Sequence, residues 1–599
     1  FWSFIRGFQP DIHGLEKFMD FGFINSILRS TYFPPRDMWM APLSINYYYF
    51  GHLVTAVLTR FSMLPSFITF NLMVATIFAF TFSLGFSLGG NLWSLFRKNQ
   101  KGNSQRLFII SGLISSFLLT FAGNLHTLYT FFTPYQNDTP VPPWQLIFSP
   151  QTFPNSYWYP NATRFIYHTI HEFPIYSFVV SDLHGHVLDI PFVLLMIATL
   201  LIIFTTPQEK FKLYRFAILL GAINAILYMT NAWDGLIYLL FSEVILVYKI
   251  GKDSITGMVK EVFSLKSLNS FLILLASFIT VSLPFSLFFK PFASQIGVNC
   301  APEFLIKLGN IGPIIFEQGY CQYSPWWQLL ILYGFFFFWI ISFLVLLWKQ
   351  RKGKENQLDN FVFLLSFLAV LLIIAPEFVY LKDIYTTYFR ANTMFKLVYQ
   401  AFIILSLSSA YILLRIFTAI KRNIFSLLYI SISCILLVIV GIYPYFAITS
   451  YYNDLKDFHG LDGITYLKTI SVGDYEAVNW MNSHISGQPT ILEAQGDSYT
   501  DYERISSNTG LPTVFGWTVH EWLWRGTYDI VPPRIADVEN LYQSKDINQT
   551  KTLLKKYAIH YVYIGDMERT KYPDLDERKF KQLGKVVYHN QTVTIYKIN

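Results

Sequence analysis

The chain has 599 residues, 53% of them hydrophobic and 19% aromatic, while only 14% carry charge. That balance excludes disorder, collagen and small disulfide scaffolds, and a net charge of +7 spread over this length excludes a basic nucleic-acid-binding face. The charges are uneven: residues 1–450 hold 48 and the remaining 149 residues hold 35, so a membrane-embedded part is expected to be joined to a water-exposed one.

In chain order, Phe1-Trp-Ser-Phe-Ile is already apolar, and the chain is expected to begin inside a membrane helix with at least one span upstream. Residues 1–63 are expected as an outer first loop with interfacial helices. Within it, 45–62 is apolar but interrupted by His52 and Arg60, which suits a helix lying in the interface with its tyrosines at headgroup level. Apolar stretches of spanning length, about 20 residues, recur near 64–93, 107–127, 187–205, 214–230, 233–249, 269–288, 327–348, 360–376, 394–416 and 423–448, which predicts ten spans.

Basic residues set the orientation. One set of loops carries 18 Lys and Arg, among them Arg97, Lys98, Lys101, Arg106, Lys349, Arg351, Lys352, Lys354, Arg415, Lys421 and Arg422. The other set, between residues 128 and 393, carries five: Arg164, Lys290, Lys307, Lys382 and Arg390. The first set is therefore expected to be cytoplasmic. Loops 128–186, 289–326 and 377–393, together with 1–63 and 451–599, are expected outside. Cys300 and Cys321 share one outer loop, where a disulfide is expected, and Cys434 is expected to pack within a helix. In 451–599 the pattern predicts a small α/β domain, with helices at 474–484 and 549–557, strands at 489–493 and 560–565, and a hairpin of 586–589 and 592–597 around Asn590-Gln591.

Ionisable residues beside a membrane cost free energy, so each marks a functional candidate. Glu16 and Asp20 are four apart, on one face of a helix; two such carboxylates can hold one proton near neutral pH or share a divalent cation. Phe33-Pro-Pro-Arg36-Asp37 offers a stiff turn whose Arg36 can grip a phosphate, and Tyr47, Tyr48 and Tyr49, followed by His52, offer ring faces to a sugar or prenyl chain. Ser181-Asp182-Leu-His184-Gly-His186 carries metal-ligand types; in an extended segment both histidines project to one side. Arg390 and Lys396, one to two turns apart, suit an anionic lipid headgroup. In the water-exposed part, His520, Glu521 and Arg525 lie among Trp517, Trp522 and Trp524, a string suited to saccharide contact or to packing on the membrane part. Asn231-Ala-Trp-Asp234 reads as a helix cap. Nucleotide-binding glycine loops and the Gly-x-Ser-x-Gly elbow are not found.

Taken together, Glu16-Lys-Phe-Met-Asp20, Phe33-Pro-Pro-Arg-Asp37, Asn46-Tyr-Tyr-Tyr-Phe-Gly51, Asp182-Leu-His184, Asn231-Ala-Trp-Asp234, Arg390-Ala-Asn-Thr-Met-Phe-Lys396 and His520-Glu521 resemble the "YYY" membrane protein family of archaea and Chloroflexi. A looser similarity extends to the type C (GT-C) glycosyltransferases, although the tight acidic pair common there is replaced by Glu16 and Asp20, four apart. The resemblance implies a multi-pass cell-envelope protein with a GT-C-like helical fold and an extracytoplasmic C-terminal α/β domain. It implies transfer of a sugar from a polyprenyl-phosphate donor to a protein, glycan or lipid acceptor.

On this reading Glu16 or Asp20 deprotonates the acceptor and Arg36, Arg390 and Lys396 hold the lipid phosphate. Tyr47, Tyr48, Tyr49, His52, His520, Glu521 and Arg525 contact substrate, and Asp182, His184 and His186 bind a divalent cation. The rivals are a transporter or lipid flippase, with charges buried mid-helix, and a non-catalytic scaffold, in which the charged clusters do not meet. The enzyme reading expects Glu16, Asp20 and Arg390 to line one cavity.

Overall fold

The structure is a computed structural model. It describes residues 1–97, 104–137, 139–293, 295–350, 356–420 and 423–599, so Lys98, Lys101, Arg351, Lys352, Lys354, Lys421 and Arg422 of the expected inner loops lie outside the described residues.

Among the described residues, eight helices are long and apolar enough to cross a membrane, or nine if the pair Gln105–Thr120 and Leu125–Phe131, bent by 74°, counts as one. Ten were expected. The expected span at 233–249 does form a helix, Ala232–Ile250, but Asp234, Glu243 and Lys249 give it three ionisable side chains in 19 residues. The bend after Thr120 has a local cause: Asn124 accepts a hydrogen bond from the His126 amide at 3.0 Å and starts a new helical turn in a different direction. Residues 50–62 form the helix Phe50–Ser62, whose 13 residues reach about 20 Å, too short for a span.

Ser66–Arg97 and Ser104–Thr120 pack closely because small residues face each other. A Cβ on Gly89 would fall 2.3 Å from that of Ser115, and Ser111 Oγ donates to the Gly89 carbonyl at 2.7 Å. Ala391–Ala419 is the central helix, sheathed along its apolar length by its neighbours. Its C-terminal end is fixed by Arg415, which donates to Asp359 at 3.1 Å. Ile424–Gly441, by contrast, lies at the rim. Cys434 is therefore exposed rather than packed, a correction that follows from the helix having one neighbouring side only.

The loops above the bundle are tied by a small sheet: Gln295–Val298 pairs parallel with Ile314–Ile315 and antiparallel with Val379–Lys382. Cys300 and Cys321 are disulfide-bonded beside it. The C-terminal sheet has the order Thr490–Leu492, Ile559–Ile564, Thr594–Ile598, Gly584–His589; the first pair is parallel and the others antiparallel. Its helices include Val472–His484 and Ile547–Lys556.

This C-terminal part does not stand apart from the first 60 residues. The Thr513 amide donates to the Met38 carbonyl at 2.8 Å, the Ala41 amide donates back to Thr513 at 2.9 Å, and Asn25 Nδ2 donates to the Ser507 carbonyl at 2.9 Å. Trp39 packs between Trp517, tilted against it at 4.8 Å between ring centroids, and Trp524, stacked on it at 5.9 Å. The dense tryptophan string is thus a packing seam that fastens the C-terminal part over the Glu16 segment.

Candidate functional site

A cavity of about 790 Å³ lies where the helices Gly185–Leu188 and Ala391–Ala419 begin, under the C-terminal part. Glu16 immediately precedes the helix Lys17–Arg29 and faces the cavity; Asp20, one turn on, is fully buried behind it. Both point at His184, whose Nδ1 stands 2.9 Å from Glu16 Oε2 and 3.9 Å from Asp20 Oδ1. On its other side His184 Nε2 meets the Tyr47 hydroxyl at 2.5 Å, and Tyr47 donates to Tyr48 at 2.9 Å.

Gly185 makes this approach possible, since a Cβ there would fall 2.6 Å from the Thr230 carbonyl and 2.8 Å from the Tyr48 ring. His184 and His186 come together although the segment is not extended: His186 belongs to a short helix and packs edge-on against Phe395 and Tyr399.

The C-terminal part closes the wall. Tyr499 donates to Glu16 Oε1 at 3.1 Å, and His520 Nε2 lies 3.5 Å from the same oxygen. Burial opposes ionisation of Glu16, but the neighbouring His184 and His520 outweigh it and hold the carboxyl well below its usual range. Asp20 differs: burial, offset in part by His184 and reinforced by Glu16, pushes it up to about 7. Burial likewise lowers His52 to about 3, so a neutral imidazole meets Asp20 at 2.8 Å.

Two groups of side chains have the spacing to hold a metal ion: Asp20, Asp182 and His184, and Glu172, Asp182 and His186, each with ligand atoms within 4.8 Å of one another. Asp182 belongs to both. The fit is supported by buried atoms that make no hydrogen bond among the described residues: Asp20 Oδ2 and His186 Nδ1. Mixed carboxylate and imidazole donors suit a divalent ion.

Opposite the acids stands Lys396, only 6% exposed. Its Nζ makes no hydrogen bond among the described residues and lies over the rings of Phe395 and Tyr48, 4.7 and 5.8 Å from their centroids. Arg164 also lines the cavity, but its charge is shared with Glu172 at 2.7 Å.

Several expected residues are elsewhere. Arg390 does not line the cavity with Glu16, and neither does Asp20, so the expectation that all three share one cavity is not met. Arg390 is fully buried and donates to Glu377 at 2.9 Å, Ser324 at 2.7 Å and the Pro376 carbonyl at 3.2 Å, clamping the loop before the central helix. Arg36 is exposed and donates to the Gln488 carbonyl at 3.1 Å. Tyr49 turns away against Phe33 and Phe285, and His52 supports Asp20 from behind. Glu521 and Arg525 are structural too: Arg525 donates to Asp37 at 2.5 Å and to Glu521 at 3.1 Å, binding the C-terminal part to the first segment. Of the seven expected substrate contacts, Tyr47, Tyr48 and His520 line the cavity.

The clamp role of Arg390 makes an expected result. Arg390→Met leaves Glu377 without its counter-charge, bonded only to Ser324, and should cost about 3 kcal/mol of stability, read as a lower thermal midpoint. Activity per folded molecule should stay near wild type; a large loss without destabilisation would return Arg390 to the site.

Fold and cavity define a polytopic membrane protein with an acid–histidine–lysine cluster at one end of its helical bundle. The chain belongs to a family of uncharacterised membrane proteins, DUF2298, which it matches over residues 1–359 and 344–405. This agrees with the kind of family expected from the tyrosine triplet and its companion strings. No curated protein matches the chain.

Among solved structures it is similar to the oligosaccharyltransferase of Archaeoglobus fulgidus in the apo form, at 10% identity over 98% of this chain and 71% of that one, with a TM-score of 0.42. The same organism's AglB in complex with an inhibitory peptide and a dolichol-phosphate is 11% identical over 98% and 71%, with a TM-score of 0.37. A form tethered to an acceptor peptide containing the NVT sequon is 10% identical over 98% and 70%, with a TM-score of 0.38. These likenesses are distant.

Proposed function

We propose that the chain is an integral-membrane glycosyltransferase of the inverting GT-C type, moving a sugar from a polyprenyl-phosphate-linked donor to an extracytoplasmic acceptor. One observation carries this: a single cavity presents an ionised carboxylate, Glu16, opposite an ammonium, Lys396, that makes no hydrogen bond to a protein acid. A transferase of this class needs both, an acceptor for the hydroxyl proton and a cation at the departing phosphate.

Glu16, on the wall, takes the proton. Asp20, out of the cavity's reach, is a positioning residue acting through His184. Tyr47 and Tyr48 offer ring faces to the sugar. A divalent ion held through Asp182 would add positive charge beside the donor phosphate. The basic-loop asymmetry supports placing the cavity and residues 451–599 outside the cytoplasm.

The test is mass spectrometry of lipid-linked intermediates in a strain lacking the gene: a polyprenyl-phosphate sugar should accumulate, and an unchanged lipid pool would count against the assignment. In proteoliposomes Glu16→Gln should abolish transfer and Asp20→Asn lower it; full activity in both would show that the base lies elsewhere.

A further inference from the structure

One helical turn along from Lys396, Gln400 meets two helix starts that the proposed reaction does not use. Asp189 precedes Ile190–Thr205, Asn231 separates Leu213–Thr230 from Ala232–Ile250, and Asp234 lies in the first turn of the latter. The Asp234 carboxyl faces the side chains of Asp189, Asn231 and Gln400 and feels the charge of Lys396.

An Asp or Asn before a helix ordinarily caps it, yet neither Asp189 nor Asn231 makes a side-chain cap. All four carboxylate oxygens of Asp189 and Asp234, both polar atoms of Asn231, and Gln400 Nε2 make no hydrogen bond among the described residues, though these side chains are at most 1% exposed. Gln400 Oε1 is taken by the Tyr238 hydroxyl at 3.1 Å.

Buried acids in an apolar bundle are held at high cost unless something neutralises them. A proton shared by the two carboxyls would engage one oxygen of each and leave the remaining oxygens and Asn231 as they are. An oxygen-coordinated ion engages several at once. Charge selects its valence: Asp189 and Asp234 bring two negative charges and Lys396 one positive, so a monovalent ion closes the balance, whereas a divalent one leaves an excess charge. The oxygen-only donors also contrast with the imidazole-bearing groups around Asp182.

We propose that Asp189, Asn231 and Asp234 form a binding site for a sodium ion, beneath the cavity and separate from its acid–histidine cluster. The proposal stands without the glycosyl-transfer reading. It also gives that reading a consequence: with an ion here, Lys396 has one negative charge of the pair to offset rather than two.

The test is radioactive sodium binding to the purified full-length chain in detergent, with EDTA present and N-methylglucamine as the balancing cation. Wild type and Asp182→Asn should bind saturably, one ion per chain. Asp189→Asn and Asp234→Asn should each weaken binding by about tenfold or more, and a sodium-dependent rise in the thermal midpoint should follow the same pattern. Absence of saturable binding by wild type overturns the proposal and leaves the pair to a proton. Binding kept in both Asp189→Asn and Asp234→Asn, or lost in Asp182→Asn alone, overturns it equally. The wild-type measurement decides even if a variant fails to fold.

Discussion

Lys396→Met should lower transfer from a polyprenyl-phosphate donor by about 100- to 1,000-fold, the usual loss when one preorganised group facing transition-state charge is removed. The reasoning starts from its surroundings. Its Nζ is buried over two aromatic rings and makes no hydrogen bond among the described residues, so folding keeps an ammonium desolvated with acids nearby but none bonded to it. Such a charge is costly to the fold and is useful where an anion arrives. Replacing it with an apolar chain of similar length should therefore leave the thermal midpoint unchanged or raise it while activity falls. That opposite movement separates a functional cation from a structural one. Arg390→Met, its neighbour on the same helix start, should show the reverse pattern, with stability lost and activity per folded molecule kept. If Lys396→Met unfolds the chain, or transfers at the wild-type rate, the phosphate-binding role assigned to it is wrong.

The contrast between those two residues shows where the sequence is legible. Lys396 and Glu16 were readable because a rare charge beside an apolar helix has few innocuous explanations, and the four-residue spacing of Glu16 and Asp20 fixes a common face without knowledge of any partner. Arg390 satisfied the same rule and failed it in space. The Pro376-Glu377 turn and the strand Val379–Lys382 carry the chain back so that Glu377 meets Arg390 thirteen residues later, a closure that local pattern cannot announce.

Glu521 and Arg525 were hidden for a similar reason, since their partner Asp37 is 488 residues from Arg525. Tyr499 and Glu172, which complete the cavity, had no signal of their own: a tyrosine in a polar loop and an acid beside a histidine are common. In 474–597 the strands and the helices near 474–484 and 549–557 were readable from alternation and apolar runs, whereas the helices Thr518–Arg525 and Val531–Gln543 were not expected. The association of that part with the first 60 residues was not, because it is made through backbone bonds such as Thr513 to Met38 and through packed tryptophans, neither of which leaves a periodic trace.

Asp182→Asn should be the most damaging single change in the acid–histidine cluster after Glu16→Gln. Asp182 is the one residue common to both groups able to hold a metal ion, and its Oδ1 also accepts from the His184 amide at 3.3 Å, shaping the turn that presents His184. Burial, with Asp20, Glu172 and Glu16 adding to it, pushes its carboxyl well above the usual range; four acids so close carry a charge that a divalent ion relieves and protons otherwise must. Asparagine keeps the shape and can still accept the His184 bond, but it gives up the negative charge on which ion binding depends. Transfer should fall by about 1,000-fold, in the manner of a lost transition-state charge, and wild-type activity removed by EDTA should return with Mn²⁺ or Mg²⁺ while that of Asp182→Asn should not. Fold stability at neutral pH should rise in the variant measured without metal, because a buried carboxyl that resists ionisation has been replaced by a neutral amide. Wild-type transfer that persists undiminished in EDTA would show that the cluster works without an ion, and Asp182 would then be reduced to the turn it shapes.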